Sequence, residues 1–264
     1  MRRRPRLDTW LVEAGLVESR EKAQALVMAG RVRIGGAAAP KPGTAVAPGA
    51  SVEVVPGPEH VGRGALKLAG ALDRLAIDPG GRLAMDVGAS TGGFTQTLLE
   101  RGARRVYAVD VGRAQLHEKL RNDPRVVVLE RVNARSLSHS EVPETCSLAT
   151  MDVSFISVLK VLPAVTALLA PDADILVLVK PQFEVGRRQV GRGGLVKDPA
   201  LHLETLRHVS RIALEELGCG TRGACASPIT GATGNREFFL HLGNSQAGLD
   251  PKEAETMMTR AVGS

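Results

Sequence analysis

The segment LAMDVGASTGGFT, residues 83–95, joins a short apolar run to a turn that contains three glycines. The run at 83–87 predicts a buried strand, and the residues from Thr95 to Arg101 predict a helix. Glycine in such a turn lets the chain bend tightly and lets a ligand approach the backbone. The Asp-x-Gly-x-x-x-Gly-Gly spacing differs from the Gly-x-Gly-x-x-Gly of dinucleotide-binding folds, which disfavours a pyrophosphate site.

Strands and helices alternate through the chain beyond this segment. We predict further strands at 106–109, 126–129, 148–153, 175–179 and 238–242, and further helices at 115–121, 158–169 and 201–217. Such alternation predicts an α/β fold with a mostly parallel sheet and helices on both faces.

The first 56 residues have a different pattern. Apolar residues at helical spacing predict two short helices within residues 7–30, and alternating residues predict strands at 32–34 and 52–55. Proline and glycine at 56–58 mark a linker. We therefore predict a small α+β module at 1–56, a linker at 57–63 and a larger domain at 64–264.

Positive charge is concentrated near the start of the chain. The 264 residues contain 34 Lys and Arg against 28 Asp and Glu, a net charge of +6, and residues 1–35 contain eight basic and four acidic residues. Clustered basic residues predict a surface that faces phosphates, although a solvated basic surface is the alternative. With five Phe, one Trp and one Tyr, stacking on single-stranded bases is disfavoured, and structured RNA or DNA fits better.

Several classes of protein are excluded by composition. The apolar runs are far shorter than the roughly 20 residues of a membrane span, and the N-terminus lacks the apolar region of a signal peptide, so we expect a cytoplasmic protein. Cys146, Cys219 and Cys225 lack the spacing of metal ligands. We expect three buried thiols and no metal site.

The glycine segment resembles the first motif of class I S-adenosylmethionine-dependent methyltransferases. The resemblance implies that the glycine loop accommodates the methionine part of S-adenosylmethionine, that Asp110 accepts its ribose hydroxyls, and that Asn133 contacts its adenine. Taken singly, Asp110 could instead be a helix cap and Asn133 a turn residue. The implied cofactor-binding residues are Asp86, Gly88, Ala89, Ser90, Thr91, Gly92, Gly93, Phe94, Asp110, Val111, Asn133 and Asp152.

The segment after the fourth predicted strand, Asp152 to Ser157, indicates which acceptor is methylated. It lacks the Asn/Asp-Pro-Pro-aromatic motif of amino-methylating enzymes and the cysteine that attacks pyrimidine carbons. A ribose hydroxyl instead requires a positioned base. A lysine can serve if burial or neighbouring groups lower its pKa.

Four charged residues at strand ends and in loops form a candidate set for that step: Lys67, Asp152, Lys180 and Glu237. Ligands bind open α/β sheets at the carboxyl ends of the strands, so Asp152 and Lys180 should point into one crevice. Each residue alone would more often be a surface charge. The order Lys-Asp-Lys-Glu resembles the catalytic tetrad of FtsJ-type 2′-O-ribose RNA methyltransferases.

The N-terminal pattern resembles the small RNA-binding module named after ribosomal protein S-four, which implies that its second helix and the following turn face RNA. A glycine-rich basic loop at 187–197 predicts a mobile flap that contacts phosphates, an ordinary surface loop being the alternative. The RNA-binding residues we predict are Arg3, Arg4, Arg6, Arg20, Lys22, Arg31, Arg33, Lys41, Arg63, Arg187, Arg188 and Arg192.

The whole chain resembles the TlyA family of haemolysin-like proteins and ribosomal RNA 2′-O-methyltransferases. The resemblance rests on Ser19-Arg20 and on residues 63–68, 86–95, 121–124, 152–157, 180–184 and 234–237. It implies methylation of a cytidine ribose in assembled ribosomal subunits, associated with sensitivity to antibiotics of the capreomycin type. At the linker, Pro58-Glu59-His60-Val61 replaces the Arg-x-Trp-Val of mycobacterial members, so coupling through the linker is not carried over.

We expect the protein to act as a monomer on ribosomal RNA, without metal or membrane. Two alternatives stay open on the sequence alone. One is a non-catalytic ribosome-binding protein with a vestigial methyltransferase domain, which the filled set of four polar positions disfavours. The other is a membrane-lytic protein, as the haemolysin-like name suggests, which lacks support because the chain has no lone strongly amphipathic segment.

Overall fold

The computed structural model describes residues 4–17, 19–28, 30, 32–55 and 61–264. The chain divides into two compact units, Met1–Glu59 and His60–Ser264. The helices are α1 Leu7–Glu13, α2 Arg20–Met28, α3 Gly64–Leu75, α4 Gly93–Glu100, α5 Glu118–Arg121, α6 Leu162–Thr166, α7 Pro181–Glu184, α8 Pro199–Leu217 and α9 Pro251–Gly263. The strands are β1 Val32–Ile34, β2 Ala37–Ala38, β3 Val52–Val54, β4 Leu83–Val87, β5 Arg105–Asp110, β6 Val126–Glu130, β7 Cys146–Met151, β8 Leu169–Val179, β9 Thr221–Ala226 and β10 Phe238–Gly243.

The smaller unit packs two helices with a three-stranded antiparallel sheet of order β2-β1-β3. Leu7 and Leu11 of α1 are fully buried, together with Ala23 of α2 and Val32 of β1. These are positions that helical and strand periodicity predict to face inward. The unit therefore has an apolar core of its own.

The larger unit is built on a seven-stranded sheet of order β6-β5-β4-β7-β8-β10-β9. The pairs from β6 to β8 are parallel, whereas β10 is antiparallel to both β8 and β9. Separate apolar clusters pack on the sheet, one containing Met85 and Val177 and the other Ala84 and Leu176. The predicted mostly parallel α/β fold is confirmed, and its carboxyl edge is where a ligand is expected.

The predicted helix at 158–169 is wrong. The structure has a single 3₁₀ turn at Val158–Lys160 and the short helix α6, after which β8 already begins at Leu169. Pro163 suits the first turn of α6 but cannot continue a longer helix from upstream, because it has no N–H to donate. Pairing of Leu169 with Cys146 of β7 then draws the residue into the sheet.

Other boundaries also differ from prediction. The strand predicted to reach Val153 ends at Met151, and the helix predicted at 115–121 is confined to α5. Helices α3 and α9 and strand β9 have no counterpart in the sequence predictions. Of these, α3 matters most for function because it carries Lys67.

The three cysteines are free and buried, as predicted. No helix in the described part of the chain is both long and apolar enough to cross a membrane.

Candidate active site

Three neighbouring strands bring charged residues to one edge of the large sheet. Asp152 follows β7, Lys180 follows β8, and Glu237 immediately precedes β10. The antiparallel register pairs Phe238 with Val179, so Glu237 and Lys180 stand next to this pair at the end of the ladder. The strand order β7-β8-β10 therefore gathers three of the four predicted catalytic residues.

Two groups of the loop after β7 hold the amine of Lys180. Its Nζ lies 2.6 Å from Asp152 Oδ1 and donates to Ser154 Oγ at 2.7 Å. Only 9% of the Lys180 side chain is exposed. Nζ also lies 5.9 Å from the centre of the Phe183 ring. These contacts fix the position of a largely desolvated amine.

The fourth predicted residue, Lys67, comes from α3 rather than from the sheet. Its Nζ donates to Glu237 Oε2 at 2.6 Å, and the two side chains are 11% and 4% exposed. A Cβ at Gly93 would lie 2.8 Å from the Ala65 nitrogen, so only glycine lets α3 pack this closely on the glycine loop. The four residues therefore form two ion pairs, a buried one between Lys67 and Glu237 and a partly buried one between Lys180 and Asp152.

The glycine loop lies directly against the Asp152 segment. Gly88 has φ +88°, and a Cβ there would lie 2.5 Å from the Asp152 carbonyl oxygen. Gly92 has φ +98°, and a Cβ there would collide with Leu120. Glycine is required at both positions because the backbone is left-handed and the neighbours leave no space for a side chain.

Asp86 lies beneath this loop and is fully buried. Its Oδ2 accepts from the Thr95 hydroxyl at 2.6 Å, and its Oδ1 accepts from the Thr150 hydroxyl at 3.2 Å. Burial raises the pKa of Asp86 to about 7, and the hydroxyl bonds oppose that rise. The carboxylate ties the start of α4 to β7, two elements that border the crevice.

Asp110 and Asn133, the residues predicted to contact the ribose and the adenine of the cofactor, line the same cavity. Asp110 accepts from the Ser90 nitrogen at 2.8 Å and from the Gly112 nitrogen at 2.7 Å. Asn133 Oδ1 accepts from the Arg135 nitrogen at 3.1 Å and caps a 3₁₀ turn. Each carboxylate oxygen of Asp110 keeps a second lone pair for a ligand, and the Asn133 amide keeps its NH₂ group.

Two cavities lie along this edge of the sheet. The larger, of about 570 Å³, is lined among others by Gly88, Ser90, Asp110, Val111, Asn133 and Asp152. The smaller, of about 110 Å³, is lined by Gly64, Gly88, Ala89, Ser90, Thr91, Gly93, Phe94 and Asp152. Of the predicted cofactor residues, Asp86 and Gly92 line neither cavity. The shared lining residues make one continuous strand-end crevice.

An exposed aromatic residue at the rim of the crevice is absent from the sequence predictions. Phe155 lines the larger cavity, is 90% exposed and has φ +64°, an uncommon conformation for a bulky residue. Its ring centre is 5.1 Å from that of Phe183. A signal for this residue is present in the sequence, because Ser154 and Phe155 directly follow Asp152 in the family-like segment 152–157.

Glu184 joins the two loops that carry the lysine and its partners. It accepts from the Ser157 hydroxyl at 2.6 Å and from the Val158 nitrogen at 2.8 Å. Its pKa is raised by burial, which these two bonds counteract. Glu184 thereby fixes the loop after β7 to the turn after β8.

The basic loop at 187–197 is attached to the segment that carries Glu237. Asn235, 2% exposed, accepts from the Val196 nitrogen at 2.9 Å and donates to the Gly194 carbonyl at 2.8 Å. Arg187, Arg188 and Arg192 are exposed. Arg63 instead donates to the Thr230 carbonyl at 3.1 Å.

The predicted RNA-binding residues of the smaller unit are described in part. Arg4, Arg6, Arg20, Arg33 and Lys41 are exposed. Arg3, Arg31 and the side chain of Lys22 lie outside the described residues. So does most of the linker, at 56–60.

No group of three or more His, Cys, Asp or Glu within the described ranges is arranged to hold a metal ion. The assigned residues provide two lysines and two carboxylates, and the neighbouring crevice is shaped by glycines. Such a set can orient a hydroxyl and receive its proton.

Comparison with known families assigns both units. Residues 60–244 match the FtsJ-like methyltransferase family, and residues 5–52 match the S4 domain. The chain is 50% identical over 265 residues to the 16S/23S rRNA (cytidine-2′-O)-methyltransferase TlyA of Mycobacterium tuberculosis, which covers 99% of this chain and 98% of that protein.

Two further similarities carry a haemolysin name. Hemolysin A of Brachyspira hyodysenteriae is 38% identical over 89% of this chain and 98% of its own length. A solved hemolysin-like structure from Streptococcus thermophilus superposes with a TM-score of 0.73 and 37% identity, covering 99% of this chain and 96% of that one.

Proposed function

Because the chain belongs to the TlyA family of FtsJ-like methyltransferases, we propose that it methylates the 2′-hydroxyl of a cytidine in ribosomal RNA. The observation that carries this proposal is the two ion pairs, Lys180 with Asp152 and Lys67 with Glu237, of which Asp152 also lines the glycine crevice. The relatives named above supply the choice of cytidine and of ribosomal RNA.

The crevice fits S-adenosylmethionine as the methyl donor. Gly88 leaves the space that a Cβ would take from the Asp152 carbonyl, and a cavity of about 570 Å³ extends from there past Asp110 to Asn133. We propose that Asp110 accepts the two ribose hydroxyls of the cofactor and that Asn133 contacts its adenine. When bound, the cofactor supplies an electrophilic methyl group.

Lys180 is the residue we assign to the acceptor hydroxyl. In the step we propose, Nζ would accept the proton of the 2′-hydroxyl as its oxygen gains the methyl group, and the cofactor would leave as S-adenosylhomocysteine. Asp152 then stabilises the ammonium that forms, and Ser154 keeps Nζ in place. Because both partners come from one loop, the amine has little freedom to move, which lowers the entropic cost of alignment.

Lys67 and Glu237 form the second ion pair, between α3 and the residue before β10. The Lys67 ammonium neutralises the Glu237 carboxylate at 2.6 Å, so neither of these buried charges is left uncompensated. We propose that this pair orients the ribose of the acceptor.

Phe155 is the contact we propose for the base of the target nucleotide. A ribose can enter the crevice only if its nucleotide leaves the stack, and an exposed ring offers the flat apolar face that a released base needs. The ring of Phe183 supports Phe155 from behind.

RNA binding is assigned to the smaller unit and to the basic loop. The S4 domain match and the exposed Arg and Lys side chains support phosphate contacts there. We propose that the protein acts as a monomer in the cytoplasm, since all four assigned catalytic residues come from one chain and the proposed substrate is ribosomal.

Transfer of a labelled methyl group tests the proposal. The protein is incubated with labelled S-adenosylmethionine and with ribosomal subunits that lack the modification, and incorporation into RNA is followed. We expect label in RNA with the wild-type chain and none with Lys180→Met. Label in protein alone, or equal incorporation by the variant, would contradict the assignment.

A further inference from the structure

A buried carboxylate lies at the centre of the basic surface of the smaller unit. Asp8 is fully buried. Arg6 donates to it twice, from Nε to Oδ1 at 3.1 Å and from Nη2 to Oδ2 at 3.0 Å. Arg20 donates to Oδ2 from Nη2 at 3.2 Å. A carboxylate repels phosphates, so its position among residues expected to bind RNA requires a physical explanation.

The carboxylate is held in one orientation by groups other than the arginines. Gln24 Nε2 donates to Oδ2 at 3.0 Å, and the Thr9 nitrogen donates to Oδ1 at 3.0 Å. Asp8 is therefore a fixed point to which two flexible side chains are attached. The contact with Arg6 lowers the pKa of Asp8, so the carboxylate is ionised at neutral pH.

The arginines remain open to solvent on their other sides. The side chains of Arg6 and Arg20 are 55% and 52% exposed, although both contact Asp8. Asp8 accepts from Nε and Nη2 of Arg6, and each of the two terminal nitrogens of the guanidinium carries two hydrogens. A guanidinium has five N–H donors, so binding one carboxylate does not prevent it from binding a phosphate.

A third basic residue is fixed beside this pair. The turn that carries Lys41 is bonded to the start of α1, where the Asp8 nitrogen donates to the Pro42 carbonyl at 3.0 Å. A Cβ at Gly43 would lie 3.0 Å from Arg6 Nη1, so the guanidinium packs closely on this turn. Arg6 and Arg20 thus contact Asp8 directly, and Lys41 belongs to a turn whose backbone is bonded to the Asp8 nitrogen.

We infer that Asp8 is a positioning residue for RNA binding, which holds Arg6 and Arg20 beside Lys41 in the arrangement that meets RNA phosphates. This inference rests on the proposed function, since it assumes that the smaller unit binds ribosomal RNA. Asp8 contributes by fixing long side chains in advance, so that less conformational entropy is lost when the phosphates bind.

Neutralising Asp8 changes both the net charge of the unit and the position of the arginine side chains, and these two changes predict opposite effects on RNA affinity. Asp8→Asn removes one negative charge and so raises the net charge of the unit by one. Electrostatics alone therefore predicts tighter binding to RNA. Loss of the bidentate contact frees the Arg6 side chain, so positioning predicts weaker binding. The sign of the change in affinity therefore separates the two explanations.

The experiment measures binding of the full chain to ribosomal subunits that lack the modification, at one fixed salt concentration. We expect Asp8→Asn to bind roughly tenfold more weakly, while affinity for S-adenosylmethionine and the maximal transfer rate stay unchanged. Glu13→Gln is the matched control, because it makes the same charge change at an exposed acid of α1. Unchanged or tighter binding by Asp8→Asn would overturn the inference.

Two further variants test whether Asp8 affects RNA binding only by stabilising the fold of the unit. Arg6→Lys keeps the charge at a half-exposed site but cannot form the bidentate contact, and we expect it to weaken binding too. In a chain that carries Arg6→Gln and Arg20→Gln, adding Asp8→Asn should cause no further loss. A full additional loss would show that Asp8 acts through stability of the unit and would contradict the inference.

Failure of the inference and failure of the proposed function give different results. If the wild-type chain methylates and binds subunits but Asp8→Asn binds equally well, only the positioning role is wrong. If the wild-type chain neither binds subunits nor transfers a methyl group to them, the proposed function is wrong and the inference falls with it.

Discussion

Lys180 Nζ lies 2.6 Å from Asp152 Oδ1, and this contact joins the ends of two adjacent parallel strands. The same amine donates to Ser154, and Glu184 fixes the loop that supplies both partners. The position of the amine is therefore determined by the sheet edge and by one carboxylate bridge. The assigned proton transfer depends on this arrangement.

Replacing the Lys180 amine should separate chemistry from binding. We expect Lys180→Ala to lower the transfer rate by about 10²–10⁴-fold, the usual contribution of a positioned base. Calorimetric titration should show S-adenosylmethionine affinity close to that of the wild type. Lys160→Ala, at an exposed lysine of the same domain, is the control and should leave both values unchanged. Lost cofactor binding in Lys180→Ala would mean that its role is misassigned.

Breaking the Lys67–Glu237 pair should cost stability as well as activity. Glu237→Gln leaves the buried Lys67 ammonium without a countercharge, and we expect a loss of about 3–5 kcal/mol in unfolding free energy. The double variant Lys67→Met/Glu237→Leu should recover most of that loss, since no unpaired charge remains, but should stay inactive. Denaturant unfolding followed by circular dichroism measures the first effect. Recovery of methyl transfer in the double variant would refute the catalytic role of the pair.

Asp110 should determine cofactor affinity. Asp110→Asn keeps the size of the side chain but removes the charge that strengthens its hydrogen bonds, so we expect S-adenosylmethionine binding to weaken by roughly tenfold to a hundredfold. Asp123→Asn neutralises an acid outside both cavities and should bind the cofactor normally. Equal affinity of the two variants would place the ribose hydroxyls elsewhere.

Asp86 should make stability depend on pH. Its folded-state pKa of about 7 lies above the ordinary value, so the folded protein holds a proton that the unfolded chain releases. Its favourable contribution is full below pH ~4 and is lost as the pH rises through about 7, which amounts to a few kcal/mol. Unfolding free energies at pH 5 and pH 8 should differ less in Asp86→Asn than in the wild type. The exposed-acid variant Asp78→Asn should retain the wild-type difference, and an equal difference in Asp86→Asn would exclude this role.

Phe155 should affect RNA rather than folding, because its ring is exposed. Stacking on a base contributes about 1–3 kcal/mol. We therefore expect Phe155→Ala to raise the KM for ribosomal subunits by roughly fivefold to a hundredfold, with the melting temperature unchanged. Leu214→Ala removes another exposed apolar side chain, from α8, and is the control. A normal KM in Phe155→Ala would exclude base stacking at this site.

Much of the crevice could be predicted, because the ligand-binding residues of a parallel sheet lie at the carboxyl ends of its strands. Asp86, Asp110, Asp152 and Lys180 each lie at the end of an apolar run, so their shared edge follows from the alternation of strands and helices. The partners of these residues could not be predicted in this way. That Lys67 pairs with Glu237 depends on α3 packing against the glycine loop, across 170 residues of sequence.

The errors in secondary structure have a similar origin. Residues 158–169 are apolar enough for a helix, but pairing of Leu169 with Cys146 and the proline at 163 shorten it. Local pattern cannot reveal which of two compatible structures the neighbouring strand selects. The positioning role of Asp8 likewise could not be predicted from the sequence, because its hydrogen bonds to Arg20 and Gln24 form only when α1 and α2 pack together.

The central claim is that the acceptor is a ribose hydroxyl, and analysis of the methylated nucleoside tests it most directly. Ribosomal subunits are methylated by the wild-type chain, their RNA is digested to nucleosides, and the position of the new methyl group is read by mass spectrometry. We expect 2′-O-methylcytidine, with the added mass on the sugar fragment and with the modified linkage resistant to alkali. A methyl group on the base fragment would contradict it.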